Sequence, residues 1–119
     1  MRIVAVIDGT DPSGRPIVNR QQLHPEVANS LLHYLQNAPV VLAARSYDTD
    51  MFAPSDRDVP MNFHTDGTFI WPGAVWHYLR KYGLPPSPEL MEHVARQGYR
   101  VPDVSEAARQ AAVQTIVGQ

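Results

Sequence analysis

Two Asp-x-Asp pairs, Asp48-x-Asp50 and Asp56-x-Asp58, lie in one stretch from Ser46 to Pro60. Carboxylate oxygens at that density could hold a hard cation. The spacing does not match an EF-hand loop, which needs a central Gly and a Glu at its twelfth position. The stretch therefore reads as solvated carboxylates, and no metal site is expected. Asp8 and Asp11, beside Gly9 and Gly14, read as turn-formers whose side chains bond nearby backbone.

His24, His33, His64, His77 and His93 are scattered, with no His-x-x-x-His or His-Glu-x-x-His pair to assemble zinc locally. His64 is the one closest to other chemistry, because Thr65-Asp66 follows it directly. A general base there, oriented by Asp66 or Asp48 and joined by Arg45, would be a small hydrolase-like site. The competing reading is a strand histidine stacked on Phe69. None of the serines lies in a Gly-x-Ser-x-Gly elbow, and there is no P-loop and no Gly-x-Gly-x-x-Gly. No cofactor is expected.

Aromatic residues crowd one stretch: Phe63, Phe69, Trp71, Trp76, Tyr78 and Tyr82. Asp66-Gly67 is a favoured type I′ pair, whose two central positions need positive φ. A two-residue turn there sets Thr65 opposite Thr68, His64 opposite Phe69, Phe63 opposite Ile70 and Asn62 opposite Trp71. Alternation then puts Met61, Phe63 and Ile70 on one face, and Asn62, His64, Phe69 and Trp71 on the other. One helix layer covers one face. If it covers Phe63 and Ile70, then His64, Phe69 and Trp71 are a surface anchor, rimmed by Asp48 and Asp50 of the acidic stretch. If it covers the Trp71 face, Met61 and Phe63 point outward instead.

The elements that must position these groups can be read from local signals. Ile3–Ile7 is a strand. The turn at residues 8–14 lets Pro16–Val18 return beside it as a hairpin. Pro25–Gln36 is a helix with Val27, Leu31, Tyr34 and Leu35 on one stripe, and Pro25 in the first turn. The apolar run Val40–Arg45 reads as a central strand. Residues 46–60 form a long surface loop. Helices follow over 73–82, stopped by Gly83, and from Ser87-Pro88 to Gly98. A last helix opens on Asp103-x-x-Glu106 as a capping box and runs to about Val117. The fold class expected is α+β: a mostly antiparallel sheet of three to five strands with about four helices on one face.

Composition narrows the function classes. Hydrophobic residues at 44%, charged residues at 18% and a length of 119 describe one ordinary globular domain over 1–119. With no cysteine, a disulfide scaffold, a thiolate zinc site and a cysteine nucleophile are excluded, which fits a cytoplasmic protein. The N-terminal apolar run is too short to span a membrane. A net charge of -2, a single lysine (Lys81) and no basic stripe argue against nucleic acid as partner.

Phe63-His64-Thr65-Asp66-Gly67-Thr68-Phe69-Ile70-Trp71-Pro72, then Trp76-His77-Tyr78-Leu79 and Gly83-Leu84-Pro85, resembles a pattern of small uncharacterised actinobacterial proteins. Their hairpin reads aromatic-x-Thr-Asp-Gly-x-x-x-Trp-Pro. The resemblance covers residues 60–97. It departs at His77, where those proteins carry the first Tyr of a Tyr-Tyr pair. Similar patterns occur in proteins suggested to neutralise bacterial toxins. The resemblance thus implies an immunity-like or other interaction role, with no catalytic residues to transfer, and the carboxylate rim would suit a basic partner such as a toxin domain. The leading expectation is a non-catalytic protein-binding module using His64, Phe69, Trp71, Asp48 and Asp50. The alternative is the small enzyme with His64, Asp66, Asp48 and Arg45. A homo-oligomer is left open.

Overall fold

In a computed structural model, which describes all of residues 1–119, the chain folds as α+β with four helices. Eight short strands precede or flank them: β1 (Arg2–Ile3), β2 (Gly9–Thr10), β3 (Pro16–Ile17), β4 (Val40–Leu42), β5 (Tyr47–Asp48), β6 (Val59–Pro60), β7 (Phe63–Thr65) and β8 (Phe69–Pro72). The helices are α1 (Pro25–Asn37), α2 (Gly73–Tyr82), α3 (Pro88–Arg96) and α4 (Glu106–Val117). The main sheet runs β1-β8-β7-β4, with β1 parallel to β8 and the other pairings antiparallel. It is therefore mixed rather than wholly antiparallel.

The N-terminal strand was expected to pair with residues 16–18. It instead lies along β8, where the Val4 amide donates to the Ile70 carbonyl at 2.8 Å and Val4 joins the core. Residues 16–17 pair with β2 in a separate small ladder, around a turn held by Asp11 Oδ1 accepting from the Ser13 and Arg15 amides. β4 also departs from expectation. Its apolar run reads as a central strand, yet it ends the sheet with Val40 and Leu42 exposed. An apolar run reports a preference for burial but not how many strand neighbours it has.

The hairpin is present with its register moved. Thr65 pairs with Ile70, His64 with Trp71 and Phe63 with Pro72. Gly67 has φ +94°, but Asp66 is not at positive φ, so the turn is not type I′. Asp66 Oδ1 instead accepts from the Thr68 and Phe69 amides at 3.0 and 2.9 Å, which opens the loop to Asp66–Phe69. The side chain replaces the backbone bond that a two-residue turn would make. The shift is even, so the two faces keep their members.

Helices α1, α2 and α3 cover the Trp71 face, and the opposite face is buried as well, with Ile70 and Thr65 at 0% exposed and α4 packed against β4 and β1, so the helices do not all lie on one face. Trp71 is 0% exposed, packs tilted against Tyr34 of α1 and donates from Nε1 to the Leu35 carbonyl at 3.1 Å. Leu31, Tyr34 and Leu35 of α1, Val75 and Leu79 of α2, and Leu90 and Val94 of α3 close around it. Helix ends follow their local chemistry. Gly83 takes the left-handed conformation at φ 69° and caps α2 through the Leu79 carbonyl. At α4 the cap is Ser105, whose Oγ accepts from the Ala108 amide at 3.1 Å, and not Asp103. The Ser hydroxyl sits immediately before the first helical residue, where an N-cap must be.

Candidate functional site

Two buried polar networks flank α2, and between them they hold most of the residues that could do chemistry. The first is built on the hairpin. His64 is buried on β7, stacked on Trp71 with ring centroids 6.1 Å apart. The indole Nε1 of Trp76 can only donate, and it donates to His64 Nε2 at 3.1 Å. His64 Nδ1 must then carry the ring proton, which it gives to the Ala38 carbonyl at 2.9 Å. Burial holds this imidazole below its ordinary pKa, and it has no free nitrogen with which to take a substrate proton.

Asp66 is equally committed. Its Oδ2 accepts from Tyr34 Oη at 2.6 Å and from His93 Nε2 at 2.9 Å, while Oδ1 caps the hairpin loop. Burial, and the bond to Asp66, push the Tyr34 phenol well above its usual range. The partner of Asp66 is thus His93 of α3 rather than His64. Phe69, half-buried, meets the edge of His93 at 4.9 Å. Arg45 and Asp48 are exposed and share no hydrogen bond or ion pair with His64 or Asp66, so these four residues do not assemble into one site. Trp71 and His64 lie in the interior, so neither is a surface anchor. Helices α1, α2 and α3 close over their face.

The second network turns the acidic stretch into a structured loop. β5 and β6 close it as a short antiparallel ladder. Inside it Asp50, 0% exposed, accepts at Oδ1 from the Phe52 and Ala53 amides and at Oδ2 from His77 Nε2 at 2.9 Å. Lys81, one turn further along α2, brings its ammonium to 3.1 Å from Asp50, 2.9 Å from Asp56 and 3.0 Å from Asp58. The ammonium donates hydrogen bonds to Asp56 and Asp58 and forms an ion pair with Asp50. Burial alone would raise the Asp50 pKa. The bonds from His77 and the Phe52 amide, with the charge of Lys81 beside them, outweigh it and hold Asp50 far below the usual carboxylate range. Lys81 is pushed up by Asp56 and Asp58 first, then by Asp50.

Ligand atoms of Asp50, Asp58 and His77 lie within 4.8 Å of one another, close enough to share a cation. The point where the carboxylates converge is taken by the Lys81 ammonium. His77, Lys81 and His93 did not stand out in the sequence. The signal for Lys81 was present: the chain's one lysine, four residues beyond a histidine on a helix, with four aspartates needing a counter-ion.

The loop also carries the exposed aromatic surface. Phe52 is 43% exposed and Tyr82 40%, and their rings meet edge to face at 5.4 Å. Phe52 leans in the same way on Tyr78 at 5.5 Å, and Tyr78 Oη accepts from the Met51 amide at 2.9 Å. Asp56 and Asp58, each about half exposed, stand beside this pair through their shared bond to Lys81.

No family model, curated protein or solved structure matches the chain. No helix is long and apolar enough to cross a membrane.

Proposed function

We propose that the chain is a non-catalytic protein-binding module that docks a basic partner on the 46–60 loop and the adjoining side of α2. The observation that carries this reading is the Phe52–Tyr82 pair, exposed on a loop that buried Asp50 holds in place. Exposed aromatic residues, Tyr among them, are typical anchors of an energetic hot spot. A loop already fixed by its own hydrogen bonds loses little further freedom on binding, which favours affinity. Asp48, Asp56 and Asp58 form the rim and would speed encounter with a positively charged surface. A basic toxin domain would have that chemistry. An immunity-like or regulatory role is the form of this proposal that the resemblance favours.

The test compares tagged parent and Phe52→Ala proteins as bait for basic proteins in extracts of the source cells. Phe52 uses no side-chain hydrogen bond, so the variant keeps the Asp50 network and folds, as circular dichroism will show. A species held by the parent and weakened about 30-fold in Phe52→Ala supports the docking surface. Equal retention by both proteins would sink it.

A further inference from the structure

His77, Asp50 and Asp58 set a triangle of donor atoms between α2 and the 46–60 loop. His77 Nε2 lies 2.9 Å from Asp50 Oδ2 and 3.6 Å from Asp58 Oδ1, and one ligand atom from each residue falls within 4.8 Å of the others. Zinc holds imidazole nitrogen and carboxylate oxygen at about 2.0–2.2 Å in a tetrahedron, whose ligands then stand roughly 3.3–3.6 Å apart. The triangle is close to one face of such a tetrahedron. Two further observations point to a cation. Lys81 already stands as one, with Asp50, Asp56 and Asp58 gathered around its ammonium at 2.9–3.1 Å. A single ammonium leaves two of those three negative charges uncompensated, and the loop's own Arg57 bonds the Tyr47 carbonyl instead. The second observation is His77 itself, 1% exposed, whose Nδ1 is buried with no hydrogen-bond partner. A buried polar atom left unpaired calls for an explanation, and an ion at the ring is one. Both nitrogens of His64 are engaged, which fixes its proton on Nδ1. Nothing fixes the proton of His77 on Nε2. With that proton on Nδ1, the Nε2 lone pair faces the carboxylates and is ready for a metal.

We propose that His77, Asp50 and Asp58 form a site for a zinc-class divalent cation, with Asp56 beside them as a further ligand, and that Lys81 is the internal cation which the metal displaces. The imidazole selects the metal. It suits zinc and its neighbours, whereas magnesium and calcium take oxygen ligands. A dication also neutralises the cluster better than one ammonium does. The Lys81 side chain is 26% exposed and that of Asp58 47%, so the ammonium can swing into water on its flexible stem and the ion has a way in. Spacing along the chain hides this set, because His77 enters from α2, 27 positions after Asp50.

The experiment is calorimetric titration of the full chain with Zn²⁺ alone, in the parent and three variants, each checked for folding by circular dichroism. The parent is expected to bind a single ion in the micromolar range, and excess Mg²⁺ should not displace it. Lys81→Met keeps the apolar stem and removes the competing ammonium. The site is then always open to the ion, so affinity should rise at least about tenfold. Asp58→Asn and His77→Gln should each weaken binding at least about tenfold. Asp58 is half-exposed, so its variant keeps the test decisive should His77→Gln fail to fold. A parent that takes up no zinc overturns the proposal, as does a Lys81→Met protein that binds no more tightly. Binding indifferent to Asp58→Asn overturns it too, and would place the ion on exposed histidines such as His24 and His33. The titration needs no protein partner, so its outcome is separate from the fate of the loop docking surface.

Discussion

Asp50 shows how much one side chain can organise. It satisfies two backbone amides and His77, pairs with Lys81, and has no contact with solvent. Asp50→Asn keeps the shape but turns an amide N–H₂ toward donors. Removing one partner of a buried charged pair costs about 3 kcal/mol or more, and urea denaturation should show a loss of that size. The depressed carboxyl also gives a pH dependence: its contribution is present above the ordinary value of 3.8 and is lost as pH falls below it. His64 acts in a higher window. Its folded pKa lies below the ordinary 6.5, so the unfolded chain takes up a proton first as pH drops. Stability is full above that value and declines beneath it. The melting temperature should fall from about pH 7 to about pH 5, and His64→Gln, which keeps a donor and an acceptor without titrating, should flatten the decline. A parent that melts at one temperature across that interval would show that the imidazole accepts a proton without cost.

Element boundaries follow local rules wherever the deciding atoms are close in sequence. Pro25, Pro88, Gly83 and the helical spacing of Leu31, Tyr34 and Leu35 were enough to place α1, α2 and α3 within a residue or two. The hairpin was legible from Asp66-Gly67, and its register was not, because Asp66 uses its side chain on the loop. What could not be read depends on distant partners: β1 beside β8, Tyr34 with Asp66 across 32 positions, and Asp50 with His77 across 27. That both hairpin faces are buried belongs to the same class, since α1, α2 and α3 cover Trp71 while α4 packs against β4 and β1. Two glycines test these elements. Gly73 opens α2 against Pro60, and a Cβ there would lie 2.8 Å from Pro60 Cβ and 3.0 Å from its carbonyl oxygen. Gly73→Ala should therefore separate α2 from β6 and cost about 1–3 kcal/mol by thermal melting. Gly67 has open space around it but sits at φ +94°. Gly67→Val should cost about 1 kcal/mol or more through backbone strain alone, and a melting curve equal to the parent's would contradict that.

Across the whole molecule, the aromatic residues divide between interior and surface. Trp71 lies where α1, α2, α3 and the sheet meet, so Trp71→Ala should cost about 3–5 kcal/mol and bring the domain close to global unfolding. Phe52→Ala, on the loop, should leave the melting temperature within a few degrees of the parent. Circular dichroism of the pair checks both expectations, and a stable Trp71→Ala would mean that the core repacks around the loss. Function is the least legible level, because a docking surface requires only exposed side chains of the right kind. The same composition that places aromatics in the core also supplies Phe52 and Tyr82.

Trp76 and His77 are adjacent on α2, and they reach in different directions. The first bonds His64 of the hairpin, and the second bonds Asp50 of the 46–60 loop. One helical turn thus couples the least regular part of the chain to the sheet. Long loops usually open locally and exchange their amide hydrogens far faster than a core does. Here the Met51 amide is held by Tyr78, and the Phe52 and Ala53 amides by Asp50. Freeing them requires α2 to let go. Exchange at these three amides should therefore keep pace with that of α2, so that a segment of irregular backbone opens only together with the helix beside it.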